Sequence, residues 1–199
     1  MWKPFISLLA AAGIAACSST PSAPETADSS GESRRVIASI TVSEDVERRY
    51  QDALELIRSS NREAARELLI SITEREPGLS GPWTNLGRIY SQEGQHDAAR
   101  GAFKKAIAAN PANCAARSEY GVMLRKLGEF DAALEQYQAC IAAQPDHAPA
   151  YYNLGILYEL YLGKLPEALA AYRHYLELTP EPDKKVEGWV ADLERRAGS

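Results

Sequence analysis

Residues that do chemistry are scarce in this chain of 199. It has three cysteines, three histidines and two methionines. There is no Gly-rich phosphate loop, no G-x-S-x-G elbow and no H-E-x-x-H pair. No carboxylate pair stands apart from the solvated charges. These absences predict a protein that is not an enzyme and that uses no cofactor or metal. No apolar run reaches the roughly 20 residues that span a bilayer. Charge of one sign is not concentrated either. The 22 Lys and Arg are interspersed with 27 Asp and Glu, for a net charge of −5, which argues against nucleic acid and against a polybasic membrane patch.

What is present begins with an address. Lys3 precedes the apolar run FISLLAAAGIAA, which ends at Ala16 and fits the core of a bacterial secretory signal over residues 1–16. Ala15-Ala16-Cys17 follows. Small residues before a cysteine resemble the lipobox of bacterial lipoproteins, in which the cysteine (here Cys17) becomes the acylated first residue. The alternative is an ordinary signal peptide cut after Ala16, with Cys17 incidental. Ser18 in place of an aspartate resembles the outer-membrane sorting pattern. The resemblance implies an outer-membrane protein facing the periplasm and touching the membrane only through its lipid. Residues 17–42 read as a tether. The stretch SSTPSAPETADSSGESRR has no large apolar residue to bury and spans roughly 25 Å as a flexible chain. Within the tether, VIASITV (residues 36–42) is β-branched and is expected to lie extended along the first helix, with Ser43 as that helix's N-cap.

From residue 43 the sequence repeats. The clearest unit, residues 80–113, places Trp83, Leu86, Gly87 and Tyr90 on one helical face. After Gly94, it places Ala99, Phe103, Ala106 and Ile107 on a second. Pro77, Pro111, Pro145 and Pro180 are 34, 34 and 35 apart, as are Ala65, Ala99, Ala133 and Ala168; Ala53, Gly87, Gly121 and Gly155 keep 34 throughout. The extra residue of the fourth unit therefore lies between Tyr158 and Gly163, where either a helix is longer or its turn is bulged. The order W-x2-L-G-x2-Y, A-x3-F, P resembles the tetratricopeptide repeat. The expected fold is all-α: a solenoid of about four helix-turn-helix repeats over residues 43–180, then a capping helix over 181–199 with Val186, Trp189, Val190 and Leu193 on its apolar stripe.

The resemblance implies that first helices line a concave groove for a peptide or helix of a partner. Carried onto this sequence, the groove positions are Tyr50, Leu54 and Arg58 in the first repeat, and Thr84, Asn85, Arg88 and Gln92 in the second. Ser118, Val122 and Arg125 follow in the third, and Tyr152, Asn153, Ile156 and Glu159 in the fourth. Asn85 and Asn153 would hold a peptide backbone, and Arg88 and Arg125 would converge as a positive focus. The groove lacks the carboxylate-clamp residues of chaperone-binding members, since Tyr50 and Leu54 stand where the clamp has Lys and Asn. The functional expectation is a periplasmic scaffold that binds another envelope protein, of the kind that serves pilus or secretin assembly, peptidoglycan enzymes or a TonB-type complex. The alternative is a structural lipoprotein that self-associates as a homodimer. Cys114 and Cys140 lie at ends of the third repeat that antiparallel packing brings together, so they either form a disulfide or remain a free thiol and a small buried residue.

Overall fold

A computed structural model describes residues 29–197, with side chains from Glu44 onward. The chain divides into two compact units, residues 1–41 and 42–199. Among the described residues there are nine helices and no strand: α1 (Ser29–Arg58), α2 (Arg62–Arg75), α3 (Ser80–Gln92), α4 (His96–Ala109), α5 (Cys114–Lys126), α6 (Phe130–Ala143), α7 (Ala148–Leu160), α8 (Leu165–Leu178) and α9 (Lys184–Ala197). None of the described helices is long and apolar enough to cross a membrane. Cys17 and the first part of the expected tether lie outside the described residues.

Two expectations at the N-terminus are corrected. Residues 36–42 are helical, inside α1, and not extended; Ser43 is likewise interior to that helix and not its cap. A lone extended segment has no partner for its backbone N–H and C=O groups, whereas a helix pairs them locally. The helical penalty of β-branched residues, a few tenths of a kcal/mol each, is too small to decide otherwise.

Downstream, the punctuation acts as read. Second helices end at Glu76, Asn110, Gln144 and Thr179, each followed by proline and each outside helical dihedrals (ψ 70, 98, 88 and 115°). The proline ring excludes the α conformation from the residue before it. Within each repeat the turn passes through a left-handed residue: Ser60 (φ 62°), Gly94 (75°), Gly128 (80°) and Gly163 (65°).

One backbone hydrogen bond closes every turn: Asn61 N–H to Leu56, Gln95 to Tyr90, Glu129 to Leu124 and Lys164 to Tyr158. Its span is five residues in the first three repeats and six in the fourth. Because α3, α5 and α7 are all 13 residues long, the extra residue enlarges the turn and not the helix. It leaves Leu160 67% and Tyr161 42% exposed.

The paired helices of a repeat meet glycine against aromatic ring. A Cβ on Gly87 would sit 2.7 Å from Phe103, and one on Gly121 2.5 Å from Tyr137; Gly155 faces Tyr172 in the same way. Those three rings are fully buried. Successive first helices touch, α3 with α5 and α5 with α7, whereas beyond their own repeat α2, α4, α6 and α8 pack against the first helix that follows and make no comparable contact with one another. First helices therefore form the more tightly spaced row, and a stack bends toward its tighter side. Helix α9 packs on α8 as a further first helix would. Val186 and Leu193 are buried there, and the Asp183 carboxylate accepts from the N–H groups of Lys185 (3.1 Å) and Val186 (3.2 Å) at its start.

Candidate functional site

The inner row of first helices carries the expected groove residues, and the structure sorts them by what they touch. Three are built into the frame. Thr84, Asn85 and Ser118 are each no more than 8% exposed. Asn113 reaches back a full repeat to donate to Ser80 (2.6 Å) and Thr84 (3.1 Å), while its Oδ1 caps α5 by accepting from the Ala116 N–H. Asn85, expected to hold a peptide backbone, is committed internally. Its Nδ2 donates to the Tyr50 hydroxyl (2.7 Å) and to the Gly81 carbonyl (3.2 Å), and its Oδ1 accepts from Arg88 (2.8 Å). All four of its hydrogen-bonding places are then nearly spent, so the role given it from sequence does not fit. Burial raises the Tyr50 hydroxyl pKa, and the Asn85 hydrogen bond opposes that shift.

The fourth repeat is partly covered. Trp189 of α9 lies tilted against Tyr152 (6.0 Å between ring centroids) and Tyr172 (5.3 Å), and Ile156 packs in the same cluster. Glu159 accepts from the Tyr172 hydroxyl (3.1 Å) and from Arg196 (3.4 Å). Asn153 donates to the Pro149 carbonyl (2.9 Å), one turn earlier on its own helix.

Open positions remain on α1, α3 and α5. Arg58 and Gln92 are exposed, and Leu54, Arg88 and Val122 are partly so. Arg125 lies over the Tyr161 ring (5.4 Å) and donates to its hydroxyl (3.3 Å), with its Nε buried and unpaired. The neighbouring Tyr137 hydroxyl is also buried and unpaired. Desolvation pushes Tyr137 up to about 12, and Arg125 pulls it partly back. Arg125 and Glu159 both act on Tyr172, one lowering its pKa and the other raising it. The positive focus expected at Arg125 is thus tempered by a carboxylate on the next helix. Tyr161 was missed from sequence. The irregular spacing of ELYLG was the signal, because an added turn residue has no place in the packed repeat and projects from it.

Cys114 and Cys140 are joined by a disulfide, with Cα atoms 4.7 Å apart. His147, the residue before α7, is half-buried beside them, and desolvation lowers its pKa.

Comparisons agree with this architecture. One family model described as tetratricopeptide repeat matches residues 113–181, and another of the same description matches 50–113 and 84–139. A search of curated proteins finds no match. Among solved structures, pilF of Pseudomonas aeruginosa superposes with a TM-score of 0.70 at 21% identity, covering 78% of this chain and 70% of that one. MamA from Desulfovibrio magneticus superposes at 0.63 with 24% identity, covering 77% and 85%. The first repeat domain of Spaghetti (RPAP3), solved with the HSP90 peptide SRMEEVD, superposes at 0.55 with 22% identity, covering 60% and 94%.

Proposed function

The chain belongs to the tetratricopeptide repeat family, and we propose that it is an outer-membrane lipoprotein, anchored through Cys17, that holds a segment of another envelope protein on its inner helix row. The observation that carries the reading is the division of that row. Arg58 and Gln92 are exposed and Leu54, Arg88 and Val122 partly so, while Trp189 of α9 lies against Tyr152 on α7. A partner strand or helix would then lie across the first three repeats, between Arg58 and Arg125, and stop at α9. Apolar Leu54 and Val122 would contribute burial there. Arg88 and Arg125 would meet partner carboxylates or carbonyls with charge-assisted hydrogen bonds. Peptide binding on this fold is seen in the Spaghetti complex, and pilus assembly is the first machinery to test.

The test places a photocrosslinking amino acid at Gln92 or Val122, with Lys104 on the outer helix α4 as control, in cells that make the full chain. The reading expects a discrete envelope-protein adduct from the two inner positions, lost with Arg88→Ala at unchanged helicity, and none from Lys104. Adducts from Lys104 alone would move recognition to the outer surface. Cys17→Ala is expected to release the protein from the membrane fraction, because acyl chains contribute about 0.8 kcal/mol per buried CH₂; full retention would refute the anchor.

A further inference from the structure

Three helix ends meet at one point between the third and fourth repeats. Cys114 is the first residue of α5, Cys140 lies in the last turn of α6, and His147 immediately precedes α7. Among the described residues, this is the one group of Cys, His, Asp or Glu whose donor atoms are placed to share a cation, all three lying within 4.8 Å of one another. A disulfide alone requires no imidazole beside it. Nevertheless a ring nitrogen of His147 lies within 4.8 Å of both sulfurs, and the ring makes no hydrogen bond among the described residues. Both cysteines are buried, whereas His147 opens partly to solvent and leaves an approach for an ion.

We propose that Cys114, Cys140 and His147 form a second, reduced state of this junction: a Cys₂His site for a thiophilic d¹⁰ cation, with Zn²⁺ as the representative ion. Two thiolates and an imidazole, completed by one water on the open side of His147, make the four-coordinate set that Zn²⁺ takes. In such a set the donors are roughly 3.7 Å apart for bond lengths of about 2.3 Å to sulfur and 2.0 Å to nitrogen; the two sulfurs, bonded to each other in the disulfide, would move apart to that spacing on reduction, with the imidazole nitrogen already within 4.8 Å of both. The Ser118 hydroxyl, 3.7 Å from the Cys140 sulfur, would donate to the thiolate from the second shell and orient it.

The chemistry balances. A dithiol reductant gives two electrons and two protons to the Cys114–Cys140 disulfide, leaving its own disulfide. The two protein thiols then lose two protons as Zn²⁺ binds. Disulfide and metal are mutually exclusive on the same sulfurs, and they constrain different things. The disulfide ties α5 to α6 within one repeat, whereas the cation adds α7 and so ties the third repeat to the fourth.

The experiment uses the full chain carrying Cys17→Ser, so that Cys114 and Cys140 are its only cysteines. The protein is reduced with a phosphine under argon and titrated with Co²⁺. Expected are one equivalent bound, thiolate-to-cobalt charge-transfer absorption with the intense visible bands of tetrahedral geometry, and displacement by Zn²⁺. Oxidised protein should give none of these. His147→Ala should keep the charge-transfer bands and lose at least tenfold in affinity. A reduced, helical protein without charge-transfer absorption overturns the proposal. So does a His147→Ala variant with unchanged affinity, which would leave a simple dithiol chelate. Should reduction lower helicity, melting is followed instead: Zn²⁺ must raise the Tm of the reduced chain and leave that of Cys114→Ser/Cys140→Ser unmoved, and equal shifts in both refute the site.

Discussion

Gly101 and Gly121 both lie inside helices of this chain, and replacing each by alanine should move stability in opposite directions. Gly101 is exposed on α4, and nothing lies within 4 Å of the Cβ it would acquire. Alanine there gains only helix propensity, about 0.8–1 kcal/mol. Gly121, on α5, gains the same. Its new Cβ, however, would lie 2.5, 2.8 and 3.0 Å from Cε1, Cζ and Cδ1 of Tyr137. Ordinary carbon contacts begin near 3.5 Å, so ring or helix must retreat by about 1 Å. Tyr137 is fully buried and has nowhere to go. Overpacking of this kind costs about 1–3 kcal/mol, which leaves a net loss of about 1 kcal/mol after the propensity gain. The two variants should then differ by about 2 kcal/mol, or roughly 4–8 °C in Tm for a domain of this size. Thermal melts followed by far-UV circular dichroism measure that separation directly. The first repeat supplies the compensation, since Ala53 and Leu69 stand where the third has Gly121 and Tyr137. Tyr137→Leu in the Gly121→Ala background should therefore cost less than Tyr137→Leu alone, with an interaction energy of about 0.5–3 kcal/mol. If Gly121→Ala melts at or above the parent, the close approach is not what selects glycine there.

Ser60 holds a left-handed conformation in the turn where the other repeats have glycine, so Ser60→Gly should stabilise by about 0.5–1 kcal/mol; a lower urea midpoint would contradict this. Trp189→Ala removes the ring that packs against Tyr152 and Tyr172 and should cost about 3 kcal/mol, with the loss of near-UV aromatic dichroism marking release of α9 from the last repeat. Reducing the Cys114–Cys140 bridge in metal-free buffer removes a cross-link between residues 26 apart and should cost about 3.5 kcal/mol by loop-closure entropy, read as a drop in the denaturant midpoint; an unchanged midpoint would refute the loop-closure argument for this bridge.

The repeat period, the helix ends at Pro77, Pro111, Pro145 and Pro180 and the capping helix were all legible in the order of residues. The helix ends are a local geometric demand written four times over, a proline that excludes helix before it, and the capping helix is a single apolar stripe after the last of them. The sequence by itself therefore determined which fold this is and in what register. Only the tertiary structure decided which groove positions stay open, because burial there depends on side chains one repeat away: Asn113 reaching Thr84, Tyr50 reaching Asn85, Trp189 lying on Tyr152. It also decided that the fourth repeat's extra residue enlarges a turn and that residues 36–42 continue a helix. In each of these, spacing along the chain allowed more than one arrangement, and contacts or backbone hydrogen bonds beyond the repeat's own pattern selected one of them.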